Sequence, residues 1–294
     1  MINFKYLAPE TISEAFDIFT EYGDEATLLA GGQSLLLMLR QNLIEPECII
    51  DIKNVKDLNG LDFDDSNGLT MGALVTHRDI ETSDVIKKHY PVLTGIETRL
   101  ASIQIRNWGT VGGNICLADP SSDIIPGLMA LGAKLTLSSK SSERVVDISE
   151  FFVDYYETIL KEGELLTRIH LPVPEKFSGA SYSKFGIRQE ERPTVGVCAS
   201  VVLEKETQQI RDVKIVLGAS GPVPMHAKRS EEVMIGKNLN KELVKQSAIM
   251  AAEDSSPTDS VAASESYKRN LIEVLVIENL EKAYESALSK INEA

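Results

Sequence analysis

The 294-residue sequence predicts an α+β fold, and three observations predict it. Short apolar runs alternate with helix-forming stretches over the first half of the chain. Near Pro172 and Pro174 the texture changes to strand-like segments spaced by turn signals, and helical patterns then close the chain. The change of texture places a boundary near residues 172 to 180. The expected division is 1–175, with subdomains of about 1–56 and 57–175, followed by 176–294.

The elements follow in order. Ala26 to Ala30 is a short apolar run stopped by Gly31 and Gly32, the pattern of a buried strand running into a turn. Ser34 stands at the N-cap of a run rich in helix formers, Leu35 to Gln41. After Pro46, Cys48 to Ile52 reads as a second strand, and two strands joined through a helix make a parallel βαβ unit. From about Leu58 a second region begins. Leu69 to Gly72 reads as a strand, Thr76 or Asp79 starts a helix, and Pro91 opens another across Val92 to Ala101. Trp108 to Asn114 then interrupts the helical pattern with three glycines. Pro126 to Leu131 reads as a helix and Ala133 to Ser138 as a strand. Ser181 to Ile187, Val197 to Leu203 and Val213 to Ala219 are strands of a meander. Leu243 to Ala252 and the longer, amphipathic Glu265 to Ile291 are helices.

Composition narrows the function. The chain has 30 Lys+Arg against 44 Asp+Glu, a formal charge of −14, which argues against a nucleic-acid binder and a polybasic membrane anchor. No apolar run approaches the ~20 residues of a membrane span, and the N-terminus lacks the pattern of a secretory signal. Three scattered cysteines, Cys48, Cys116 and Cys198, offer no disulfide framework and no zinc or iron–sulfur ligand set. The expectation is a reduced, cytoplasmic protein, whose redox centre, if it has one, is borrowed. His77, His89, His170 and His226 read as isolated, without a nucleophile beside them.

The sharpest features are two glycine pairs, Ala30-Gly31-Gly32-Gln33-Ser34 and Thr110-Val111-Gly112-Gly113-Asn114. Consecutive glycines allow positive φ and close backbone approach, and a glycine turn feeding a helix gathers N–H groups into a nest for anionic oxygens. Such local dipoles suit a diphosphate on an otherwise acidic protein. Neither pair has Rossmann or P-loop spacing. Asp119, before Pro120, reads as a turn residue and Asp123 as a helix cap; Trp108 and Cys116 read as packing residues.

The run Leu28 to Leu35 resembles the first flavin loop of the FAD-binding subunits of the molybdenum hydroxylases, a family that includes the xanthine dehydrogenases and the aerobic carbon monoxide dehydrogenase medium subunit. Gln104 to Asp123 resembles the second loop over its whole length. Met71 to Thr76, Gly163 to Thr167, Tyr182 to Arg188, Gly218 to Pro224 and Ser266 to Arg269 also fit, so the resemblance covers nearly the entire chain.

The resemblance implies a two-subdomain FAD-binding domain of the vanillyl-alcohol-oxidase (PCMH) type and a C-terminal domain of the CO dehydrogenase flavoprotein type. It implies FAD in this chain, with backbone N–H groups supplied by Ala30, Gly31, Gly32, Gln33 and Ser34 between Leu29 and Leu35. Thr110, Val111, Gly112, Gly113 and Asn114 would make the second set of contacts. Asp123 matches a position holding an adenosine-side hydroxyl, and Leu100 and Leu166 match apolar positions lining the cofactor. Lys184 and Arg188 lie in the segment that approaches the flavin ring. Gly186 stands where several relatives carry a lysine, which leaves both cations open. No catalytic or metal-ligating residue is expected here. The implied function is electron transfer from [2Fe-2S] clusters of a small partner subunit through FAD to an acceptor such as NAD. A large partner would hold molybdopterin, and the assembly would be a dimer of heterotrimers. The rival readings are a freestanding flavin reductase of the cell-wall-sugar type and a non-catalytic nucleotide-binding assembly module.

Overall fold

A computed structural model describes residues 4–188 and 190–293. The chain begins with strand β1 (Lys5–Leu7), helix α1 (Ile12–Tyr22), β2 (Ala26–Leu29), α2 (Leu35–Arg40) and β3 (Cys48–Asp51). The three strands form a parallel sheet in the order β1-β3-β2. The expected βαβ unit is therefore present, and it is wider than the sequence reading, which left out β1 and α1. Helix α1 is capped by Thr11, whose Oγ1 accepts from the Glu14 N–H. Its Ala15 and Phe16 pack with Ile50, Ile52, Val55 and Leu165 in a small core of their own. Ser34 stands at the N-cap of α2, yet its side chain caps nothing, and α2 buries none of its six side chains.

The middle region runs through β4 (Leu61–Asp64), β5 (Gly68–Gly72), α3 (His77–Thr82), α4 (Asp84–His89), α5 (Pro91–Glu97) and α6 (Ile103–Arg106). It continues with α7 (Val111–Leu117), α8 (Ile124–Ala130), β6 (Lys134–Ser138), β7 (Glu143–Asp147), β8 (Phe152–Asp154), β9 (Glu157–Thr158) and β10 (Leu165–Leu171). Five strands make a mixed-order antiparallel sheet, β4-β5-β10-β6-β7, whose centre is β10. Its apolar face and the helices enclose the largest core, around Leu69, Tyr90, Leu93, Ile115, Leu128 and Ile169. Thr76 starts α3 with a reciprocal capping box to Asp79.

The expected interruption of the helical pattern is present but shorter than the sequence suggests: it holds Gly109, between α6 and α7, whereas Gly112 and Gly113 lie inside the first turn of α7. Trp108 is 65% exposed and so is not an interior packing residue.

The last part carries β11 (Ser178–Phe185), β12 (Val195–Leu203), β13 (Ile210–Gly218) and β14 (Met225–His226) in one antiparallel meander, then α9 (Lys228–Met234), α10 (Lys241–Asp254) and α11 (Glu265–Asn292). β12 is apolar along nearly its whole length because both faces of the sheet are covered. Helices α9, α10 and α11 pack on one face in a second large core. On the other face Cys198 and Val216 join the central core. There the Ser200 Oγ donates to the Ala130 carbonyl at the end of α8, at 2.9 Å. No helix among the described residues is long and apolar enough to cross a membrane.

Candidate cofactor-binding site

Between the first sheet and the helices of the middle region lies a cavity of about 490 Å³, within the range of small-molecule sites. Both glycine pairs line it. At the first, the chain leaves β2 and turns through Ala30 to Ser34, with Gly32 at φ +71°. A Cβ on Gly31 would sit 2.0 Å from the Trp108 carbonyl oxygen, so the two loops touch backbone to backbone. Among the described residues, the N–H groups of Gly31, Gly32, Gln33 and Ser34 find no hydrogen-bond acceptor. Four successive donors beside a cavity are suited to anionic oxygens.

The second pair is built differently. Thr110 caps α7, its Oγ1 accepting from the Gly113 N–H at 3.1 Å. The N–H groups of Val111, Gly112 and Asn114 donate to the carbonyls of Val75, Ala73 and Thr110, each at 2.9 Å. The expected second row of backbone donors is thus already spent inside the protein. What the glycines provide here is room: a Cβ on Gly112 would lie 2.6 Å from both Cβ and O of Ala73.

Of the residues singled out in the sequence, Ala30 through Leu35, Leu100, Thr110, Gly112, Gly113, Asn114, Asp123 and Leu166 line the cavity. Leu29, Val111, Lys184 and Arg188 do not. Val111 is buried in the central core, and Arg188 reaches outward to Glu191. Lys184 has only 4% of its side chain exposed; its Nζ donates to Asp123 Oδ2 at 2.9 Å and to the carbonyls of Arg99 and Glu191. It is the clamp on Asp123 rather than a free cation. Tyr182 donates to Asp123 Oδ1 at 2.7 Å, so this carboxylate binds two side chains from β11 and does not cap α8. Burial nevertheless pushes the Asp123 carboxyl above its ordinary range, against the pull of Lys184, and it pushes the Tyr182 phenol well up.

Other wall residues escaped the sequence reading. Arg192, on the stretch between β11 and β12, reaches Asp119 Oδ2 at 2.6 Å and is a cation of the cavity wall. It lies only four positions beyond Arg188, outside the segment that the resemblance covers there. Glu164 is held by Arg144 through two bonds of 2.9 and 2.8 Å, which keep its carboxyl below the usual range. His77 is not isolated: its Nδ1 lies 2.9 Å from Glu97 Oε1. Cys116 faces the cavity partly, with its thiol pushed up to about 12 by burial. Three of the four acidic groups in the wall, Asp119, Asp123 and Glu164, therefore have a cation beside or behind them, and the fourth, Glu190, is exposed. In a chain of net charge −14, these pairings offset most of the acidity of this wall.

Residues 2–174 match the family "FAD binding domain in molybdopterin dehydrogenase", and residues 180–283 match "CO dehydrogenase flavoprotein C-terminal domain". The chain belongs to the FAD-binding medium subunits of the molybdenum hydroxylases. It is 34% identical to the glyceraldehyde dehydrogenase medium chain of Sulfolobus acidocaldarius, over 93% of this chain and 96% of that one. The carbon monoxide dehydrogenase medium chain of Hydrogenophaga pseudoflava is 29% identical over 96% and 97% of the two chains. The solved carbon monoxide dehydrogenase from the latter organism superposes with a TM-score of 0.93 at 28% identity, covering 97% of this chain and 98% of that one. Quinoline 2-oxidoreductase from Pseudomonas putida 86 gives 0.90 at 27% identity, with the same coverage. The family establishes an oxidoreductase subunit with an FAD-binding domain. The cavity fits such a group: free amides, backbone approach without Cβ atoms, and cations paired with Asp119, Asp123 and Glu164 favour a bound diphosphate.

Proposed function

We propose that this subunit is the flavin relay of a multi-subunit molybdenum hydroxylase. It stands between [2Fe-2S] clusters in a small partner and a terminal acceptor such as NAD, with molybdopterin in a large partner. The observation that carries the reading is the convergence of both glycine loops on one cavity, with Gly31 seated against the Trp108 carbonyl and the four amides from Gly31 to Ser34 unengaged among the described residues. Gly31 to Ser34 would hold the diphosphate through N–H groups. Thr110, Gly112, Gly113 and Asn114 would form the opposing wall, and Leu100 and Leu166 would offer apolar contact. Asp123, fixed by Tyr182 and Lys184, keeps lone pairs for a ribose hydroxyl. Arg192, paired with Asp119, is the cation that this wall would offer the cofactor.

Bound there, FAD supplies a centre that exchanges electrons singly or in pairs. The chain's own residues orient it and keep its charged linker out of bulk water. The assembly would be a dimer of heterotrimers in the cytoplasm. Purification from the native host tests the reading. The expected result is a yellow complex containing a larger and a smaller partner, in which substrate reduces the flavin. A chain that refuses FAD, or one that reduces a nucleotide sugar with NADPH unaided, overturns it.

A further inference from the structure

His77 and Glu97 are the most deeply buried titratable pair beside the cavity, with side chains 3% and 0% exposed. His77 is fixed beneath the second glycine loop. Its backbone N–H donates to the Gly109 carbonyl at 3.0 Å, and its neighbour Thr76 bridges to Thr110. The ring lines the cavity, and its Cδ2 edge lies 3.1 Å from where a Cβ on Gly109 would stand. Its Nδ1 is taken by Glu97 Oε1, whereas Glu97 Oε2 is buried with no hydrogen-bond partner among the described residues.

The charges around the pair are otherwise committed. On α3, Asp79 is engaged in the capping box and Glu81 is paired with Arg78 and Arg106. On α6, Arg106 also donates to the carbonyls of Leu100 and Ala101. At the start of α8, Asp123 is held by Lys184 and Tyr182 from β11. Asp119 is held by Arg192. With no proton to share, a carboxylate beside a neutral imidazole leaves a net negative charge buried under the loop, a costly arrangement. Burial pushes the Glu97 carboxyl up, against the pull of His77. A dianionic diphosphate in the cavity that His77 lines would raise that cost further.

We propose that the His77–Glu97 pair binds one proton from water when FAD occupies the cavity. Glu97 keeps the Nδ1–H, and the added proton sits on Nε2, making an imidazolium between the carboxylate and the diphosphate. His77 is a cofactor-positioning cation, and affinity for FAD depends on pH through it. The inference rests on the FAD-site reading above.

The test is calorimetric titration of the full, flavin-free chain with FAD, between about pH 6 and 9, in two buffers of different ionisation enthalpy. Uptake approaching about one proton per FAD is expected at the alkaline end, with affinity falling by up to about tenfold per pH unit there. Glu97→Gln and His77→Gln should bind FAD without proton uptake, on a flatter pH profile. FAD binding by the unaltered chain with no proton uptake overturns the inference alone, whatever the stability of the variants. So does undiminished uptake in folded variants. No FAD binding at any pH overturns the FAD-site reading and the inference with it.

Discussion

At Gly31 and Gly32 the chain turns, and the amides from Gly31 to Ser34 are left without partners; at Gly112 and Gly113 it is helical, and every N–H from Val111 to Asn114 is already bonded. The same dipeptide serves two physical ends. The first loop needs glycine for a positive φ at Gly32 and for contact with the Trp108 carbonyl at Gly31, and it keeps its donors free. The second needs glycine only because Ala73 and the Thr110 hydroxyl occupy the space of a Cβ. Donors come from one side of the cavity and shape from the other.

Substitutions can break or sharpen this contrast. Gly31→Ala should have the largest effect. Its Cβ meets backbone that cannot rotate away, so a loss of about 3 kcal/mol or more in urea unfolding, together with loss of FAD retention, is expected. Gly112→Ala should cost about 1–3 kcal/mol by pressing on Ala73, with the stability loss larger than the change in FAD affinity. Gly32→Ala should cost only about 1–2 kcal/mol, since the new methyl meets flexible leucine termini and the strain is that of φ +71°. If Gly32→Ala proves more damaging to stability than Gly112→Ala, the division between the loops fails.

The smallest effect belongs to Tyr6→Phe, in the first sheet. Burial raises the Asp51 carboxyl, but bonds from Lys53 and Tyr6 outweigh it and hold the group below the usual range. Asp51 therefore contributes stability that is present above its unfolded pKa and is lost as pH falls through its lower folded value. Tyr6→Phe should cost about 1 kcal/mol at neutral pH. That cost should shrink in acid, as thermal unfolding from pH 7 downward would record. Glu97, whose carboxyl is raised, has the opposite sign: its contribution is present below the unfolded pKa and is lost as pH rises through the folded one.

Where local chemistry decides the structure, the sequence was legible. The apolar runs on either side of Gly31 and Pro46 announced β2 and β3, Thr76 announced α3, and the texture beyond Pro174 announced the meander. β1, only three residues long, carries too little pattern to see, and it exists because β3 offers it an edge. Helix α7 was misread because two glycines together cost a helix about 2 kcal/mol relative to alanine. Thr110 capping and the fit against Ala73 offset that, and Ala73 is nearly forty positions away.

Site residues separated in sequence were the hardest to place. Lys184 looked like a free cation until it met Asp123, 61 positions earlier, and His77 looked isolated until it met Glu97. Charges state what they can bind, but only the fold says what they have bound already.

Helix α2 completes the picture of the first loop. Six residues without one interior side chain cannot keep a helix in water by themselves. Its Leu35 and Met38 face the cavity, so its order depends on its two anchored ends and on what fills that space. Melting this short segment costs far less than dismantling either large core. Amide exchange along α2 is therefore expected to be faster than along β12 and β13, and to slow when the cavity is filled.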